Sequence, residues 1–187
     1  MNEPIPTSEE PITEIEQSYV VRELRLTDVP QVEQIARQWV RFPPETGPVI
    51  EEEVQEMIEL MQESIKLQNN RHYFVSTDKA ENVVGFVCLA DLEPKMQQFS
   101  TTENPIELKN LYVQQGKRRG KGVGSALYNF AKDWSRAKGY TEIILNSGPR
   151  YKKTGWPFYQ IIIGDPIGML KDFYGPGNGA PVWREDL

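Results

Sequence analysis

Residues 115–127 read Gln-Gly-Lys-Arg-Arg-Gly-Lys-Gly-Val-Gly-Ser-Ala-Leu and hold the sharpest chemistry in this 187-residue chain. Gly116, Gly120, Gly122 and Gly124 alternate with Lys117, Arg118, Arg119 and Lys121, and Ser125 follows. Glycines let a backbone come close to a ligand and turn its N–H groups inward. An apolar 3.6-residue rhythm begins at Val123, so the loop opens a helix whose first N–H groups and positive dipole end favour a phosphate. The plain alternative is a solvated basic turn, but strand, glycines, bases and helix start coincide. The loop fits neither common nucleotide motif. Gly120-Lys121 is followed by Gly122, where a magnesium-binding P-loop needs Ser or Thr, and the spacing is G-x-G-x-G rather than G-x-G-x-x-G. One cysteine, Cys88, and one histidine, His72, exclude an internal disulfide and a Cys/His zinc site, and both are expected to pack.

The elements that must position this loop are legible as periodicity. Residues 19–26 are β-rich. Asp28 reads as a helix N-cap with Pro30 in the first turn and Gln31 completing a capping box, and Val29, Val32, Ile35, Ala36, Trp39 and Val40 form the apolar face. The segment 41–48 breaks that helix. A second helix is expected over 49–68, with Ile50, Val54, Met57, Ile58, Met61 and Ile65 on one side and glutamates on the other. Strands follow at 72–78, 83–91 and 106–113, with an irregular polar loop over 93–104. After the glycine-rich loop come a helix from Val123 to about Lys138, a strand at 141–146, and a helix over about 151–163. A hairpin of 167–173 with 180–186 ends the chain. The order is β-α-α-β-β-β-α-β-α-β-β, a mixed α/β (α+β) domain over 19–187.

Charge is segregated along the chain. The net value is −6, from 21 Lys and Arg against 27 Asp and Glu. Residues 1–18 hold five glutamates, three prolines and no base, and read as an acidic disordered arm. Residues 109–153 hold eleven bases against Asp133 and Glu142, a net of +9. An acidic total argues against nucleic acid as a partner, yet the basic segment calls for an anion. No apolar run is long enough to span a membrane and no secretory signal is visible, so a cytoplasmic protein is expected.

Arg119-x-x-Gly122-x-Gly124 resembles the [RQ]-x-x-G-x-[GA] signature of the GNAT N-acetyltransferase superfamily. The preceding Glu107-Leu108-Lys109-Asn110-Leu111-Tyr112-Val113 resembles that family's splayed fourth strand, and the segment 19–28 its first strand and helix start. The likeness covers about 19–187. It implies a central mixed, mostly antiparallel twisted sheet flanked by about four helices. It also implies acetyl-CoA as co-substrate, with no metal. Arg119, Gly120, Lys121, Gly122, Val123, Gly124 and Ser125 would cradle the pyrophosphate, while Leu111, Tyr112 and Val113 would pair with the pantetheine arm. Asn146, ending the fifth strand, resembles an asparagine that contacts that arm. One departure is a segment between Val113 and Arg119 about one residue longer than usual.

Acetyl transfer needs a neutral amine, donors for a developing oxyanion, and a proton for the departing thiolate. By the resemblance, the Val113 N–H would be the oxyanion donor and Glu107 the base, directly or through water; a surface carboxylate is the bland reading of Glu107. The general acid resembles a family tyrosine on the helix after the fifth strand. Tyr159 is favoured because a helix starting near 151 leaves two strands afterwards; Tyr151 is the alternative. The expected function is transfer of acetyl from acetyl-CoA directly to a primary amine. A catalytically silent acyl-CoA sensor and a nucleotide binder are the rivals. The acceptor and a homodimeric state stay open.

Overall fold

The structure is a computed structural model that describes residues 19–44, 46–117 and 122–187. The acidic arm therefore lies outside the described residues, as do Arg119, Gly120 and Lys121 of the glycine-rich loop. Among the described residues seven strands form one sheet: β1 (Val20–Glu23), β2 (Arg71–Thr77), β3 (Val83–Ala90), β4 (Pro105–Val113), β5 (Glu142–Asn146), β6 (Gly168–Leu170) and β7 (Ala180–Asp186). Their spatial order is β1-β2-β3-β4-β5-β7-β6. All pairs are antiparallel except β4 with β5. Among the described residues four α-helices flank it: α1 (Val29–Trp39), α2 (Glu51–Ile65), α3 (Val123–Ala137) and α4 (Gly155–Ile162). The expected mixed fold and element order are both present.

Two apolar layers hold the sheet. On one face α1 and α2 bury Val32, Ile35, Ala36, Val54, Ile58 and Met61 against Tyr73, Val75, Phe86 and Cys88. On the other, α3 and α4 bury Val123, Leu127, Tyr128, Ala131 and Tyr159 against Phe74, Val87, Leu89 and Trp183. Strand β3 is buried along its whole length because both faces are covered, which is why VVGFVCLA reads as a continuous apolar run. His72 packs on Trp134 at 4.5 Å between ring centres, and Cys88 is fully buried, its thiol pushed up to about 11 by burial.

Several details differ from the sequence reading. Asp28 stands at the N-cap position of α1 but its carboxylate makes no cap bond there. It accepts instead from the Arg22 guanidinium at 2.7 and 2.9 Å and from the Arg25 N–H at 2.8 Å. Gln31 turns away from its own helix to accept the Val83 N–H at 2.9 Å. The polar loop at 93–104 contains a short 3₁₀ helix, Pro94–Phe99, anchored by the buried Met96. The last helix begins at Gly155 rather than near 151, where Pro149–Tyr151 form a separate 3₁₀ turn. Pro157 is tolerated because it falls in the first turn, where its missing N–H has no partner to lose.

Candidate active site

Strands β4 and β5 run side by side only at their beginnings, where Pro105, Ile106 and Glu107 pair with Glu142, Ile143 and Ile144. Beyond Glu107 the two part. β5 continues along β7, and the second half of β4 follows β3. A bulge marks the divergence: Leu89 faces Leu108 and Cys88 faces Asn110, so Lys109 is one residue in excess. Bulges bend a strand and raise its twist.

The parting leaves polar backbone exposed on one edge of β4. The Gln114 N–H donates to the Val84 carbonyl at 2.9 Å. Bonding positions alternate along an antiparallel ladder, so Asn110 and Tyr112 also turn their backbone groups toward β3. Those of Leu111 and Val113 point the other way, into the gap. The Val113 carbonyl is met there by the Trp39 indole N–H at 2.9 Å.

The start of α3 lies beside this edge. Gly122 caps it with φ +71, a left-handed conformation that favours glycine. The first intrahelical bond runs from the Ala126 N–H to the Gly122 carbonyl at 2.8 Å, so the N–H groups of Val123, Gly124 and Ser125 precede the ladder. At Gly124 a Cβ would come within 3.1 Å of the Phe158 ring, so glycine here allows α4 to sit against the helix start. After Val113 the chain makes a turn, with the Lys117 N–H donating to the Gln114 carbonyl at 3.0 Å. Gln115 is tied to α1 through Gln38 by bonds of 2.7 and 3.1 Å.

Edge, helix start and α4 enclose one cavity of about 970 Å³. Of the predicted site residues it is lined by Leu111, Tyr112, Val113, Gly122, Val123, Gly124, Ser125, Asn146 and Tyr159. Glu107 is not among its lining residues. It lies 1% exposed behind Lys109, whose ammonium pairs with it at 3.0 Å and also contacts Glu93. The Glu93 N–H donates to its second oxygen at 2.8 Å. Burial pushes the Glu107 carboxyl up, and Lys109 opposes that shift.

The two candidate tyrosines differ in what holds them. The Tyr151 hydroxyl shares a 2.8 Å hydrogen bond with the Tyr112 hydroxyl, and Arg150 lies over the Tyr151 ring at 5.9 Å. Burial raises both phenols. The Tyr159 ring packs against Trp183 at 5.5 Å, and its hydroxyl has no hydrogen-bond partner among the described residues. Burial raises this phenol too, which keeps it protonated.

Sequence reasoning missed several lining residues. Tyr174, in the β6–β7 loop, donates to the Asn146 carboxamide oxygen at 2.9 Å and lies over Gly148; burial pushes it up to about 12. Arg150 forms a two-bond pair with Glu53 of α2, at 2.8 and 3.0 Å, across 97 residues of sequence. Tyr73 reaches the cavity from β2. Only the position of Arg150 beside Tyr151 offered any local signal. Among the described residues no group of three or more His, Cys, Asp or Glu is arranged to hold a metal ion. No helix among them is long and apolar enough to cross a membrane.

Residues 32–162 match the sequence model of the acetyltransferase (GNAT) family, and the chain belongs to that family. It is an acetyltransferase of the GNAT class. Solved structures share the fold. A GNAT-family protein from Desulfovibrio desulfuricans is 20% identical, with a TM-score of 0.71, covering 90% of this chain and 98% of its own. NAA60 of Arabidopsis thaliana, solved with a bisubstrate analogue, is 16% identical with a TM-score of 0.67, over 90% and 97%. An aminoglycoside 6′-N-acetyltransferase complexed with coenzyme A is 17% identical with a TM-score of 0.63, over 89% and 96%. No curated protein sequence matches the chain.

Proposed function

We infer that this protein is a cytoplasmic N-acetyltransferase that moves an acetyl group from acetyl-CoA directly to a primary amine. The observation that carries the reading is the shared cavity, which brings together the unpaired edge of β4, the free N–H groups opening α3 and the unbonded Tyr159 hydroxyl. Gly122, Val123, Gly124 and Ser125 suit a pyrophosphate, because backbone donors and a helix dipole converge on one spot. Arg119, Gly120 and Lys121, outside the described residues, belong to the same segment and are assigned to the same group. Leu111 and Val113 offer donors and an acceptor in the spacing of a strand, which suits the amides of a pantetheine arm, with Tyr112 behind them and Asn146 opposite.

The chemistry then follows from the chain's own groups. The amine nitrogen bonds to the acetyl carbonyl carbon while the carbon–sulfur bond breaks. The Val113 N–H donates to the carbonyl oxygen as negative charge grows there. The nitrogen's proton passes toward Glu107, and because Lys109 stands between that carboxylate and the cavity, the path runs through water or the lysine. The sulfur takes its proton from Tyr159, whose hydroxyl has no competing acceptor; Tyr151 is already engaged with Tyr112. Calorimetry with acetyl-CoA, ATP and NAD tests the donor, and thiol release from acetyl-CoA over an amine panel tests the transfer. Tight ATP binding without acetyl-CoA binding, or acetyl-CoA binding with no release for any amine, overturns the reading.

A further inference from the structure

Glu107, Lys109 and Glu93 form one charged cluster behind the β4 edge. The buried Glu107 carboxylate takes two donors, the Lys109 ammonium at 3.0 Å on one oxygen and the Glu93 N–H at 2.8 Å on the other. Lys109 is the surplus residue of the bulge, and it lines the cavity while Glu107 does not. Its ammonium also contacts the Glu93 carboxylate, whose side chain is 46% exposed. Glu93 thus acts on Glu107 twice and in opposite senses. Its backbone N–H favours the anion, while its carboxylate draws on the same ammonium and repels a second negative charge.

The other charged groups around Glu107 are engaged elsewhere. Arg71 and Arg184 stand in its cross-strand row, beyond Ala90 and Ile144. The Arg71 guanidinium lies beside Tyr73 and Cys88, and that of Arg184 donates to the Phe99 carbonyl at 2.9 Å and nears Glu142. Asp91 accepts from Asn70, and Lys95 sits over the Phe173 ring. Tyr174 faces the cluster as a neutral phenol, bonded to Asn146. Two carboxylates therefore share one ammonium beside the cavity. A buried charge without a full partner is costly, and one proton on Glu107 removes it without separating charge. We propose that Lys109 and Glu93 are positioning residues that tune Glu107 as the proton acceptor: Lys109 holds the buried carboxylate as an anion until the amine attacks, and Glu93 weakens that hold so that the proton can be taken. As the bond from nitrogen to the acetyl carbon forms, the nitrogen's proton ends on Glu107. Lys109 ends the step as it began, an ammonium. The inference rests on the reading of Glu107 as the base.

The test is the pH–rate profile of kcat/KM for thiol release, taken with one acceptor amine so that its own ionisation is common to every variant. Lys109→Met should move the Glu107 limb to higher pH by about one unit or more, the usual effect of losing an opposite charge at contact distance. Glu93→Gln keeps the backbone donor and should move the limb to lower pH, by about half a unit because that carboxylate is half solvated. Lys109→Arg should return the limb close to its original place. A packing role alone would lower rates without moving the limb in opposite directions. An unmoved limb, or shifts of one sign in both variants, overturns the tuning and leaves acetyl transfer standing. If Lys109→Met does not fold, because a buried carboxylate has lost its partner, the direction of the Glu93→Gln shift decides alone. A limb that persists in Glu107→Gln overturns the base assignment instead, and bound acetyl-CoA with no thiol release from any amine overturns the transfer itself.

Discussion

Trp39 closes α1 by donating its indole N–H to the carbonyl of Val113, the last residue of β4, at 2.9 Å. A helix end and a strand end 74 residues apart are thereby fixed to each other at the edge of the cavity. The Trp39 ring also stacks on Tyr112 at 6.2 Å, so one side chain holds both the backbone and the aromatic face of the open strand.

Replacing this residue should therefore be felt in folding. Trp39→Phe keeps a ring over Tyr112 but leaves the Val113 carbonyl without its donor. A loss of about 1–3 kcal/mol in unfolding free energy is expected, measured by urea denaturation. An unchanged midpoint would mean that water replaces the indole at no cost.

The two tyrosines give a clean kinetic contrast. Tyr159→Phe should lower kcat by about 100-fold or more, the usual yield of a positioned general acid, with acetyl-CoA affinity kept. Tyr151→Phe removes one member of a hydroxyl pair and should cost far less. The reverse ranking would transfer the acid role to Tyr151.

For Glu107, the proposed base, the informative variant is Glu107→Gln. A drop in kcat/KM of about 100-fold together with loss of its acidic limb is expected in a pH–rate profile. A drop that leaves the limb in place would make Glu107 a positioning residue for Lys109.

Helix geometry predicts a smaller effect at the phosphate end. Gly122→Ala meets no atom within 4 Å but must hold φ +71. The strain of about 1–2 kcal/mol should appear in thermal unfolding, and acetyl-CoA affinity by calorimetry should fall with it.

Acid stability should depend on Asp28. The Arg22 guanidinium, with help from the Arg25 N–H, holds its carboxyl below the ordinary value. A depressed carboxylate stabilises the fold above its unfolded pKa, near ~3.9, and that contribution is lost as pH falls through the folded value. Denaturation midpoints should thus decline below about pH 4. Asp28→Asn should flatten that decline while lowering stability at neutral pH.

What the sequence made legible was local. Apolar spacing in α1, α2 and α3 came through, as did the all-apolar β3 and the glycine-rich helix start, because each signal is complete within a dozen residues. The signals that failed had partners outside their own motif. Asp28 and Gln31 carry the residue types of a capping box, but Arg22 and Val83 claim their side chains. The start of α4 was misplaced because Gly155-Trp156-Pro157 is as compatible with a break as with a beginning, and only the turn at Pro149–Tyr151 decides between them. Tyr73 looked like an ordinary strand residue. Its relation to the cavity depends on α2 covering one face of β2, which no pattern within 71–77 can express.

The extra residue in β4 has a consequence for insertions and deletions. Glu107 aligns with Ala90 and Asn110 with Cys88, and Lys109 stands outside this pairing. Removing Lys109 would restore an uninterrupted ladder and leave Asn110, Leu111, Tyr112 and Val113 on the sides they occupy now. The shortened strand would lose its bend, and with it the reason for β4 to leave β5 after Glu107. A frame-preserving loss of that one codon would therefore straighten the strand and, in the same step, strip the buried Glu107 carboxylate of its ammonium partner, so the opening and the ion pair depend on one peptide unit.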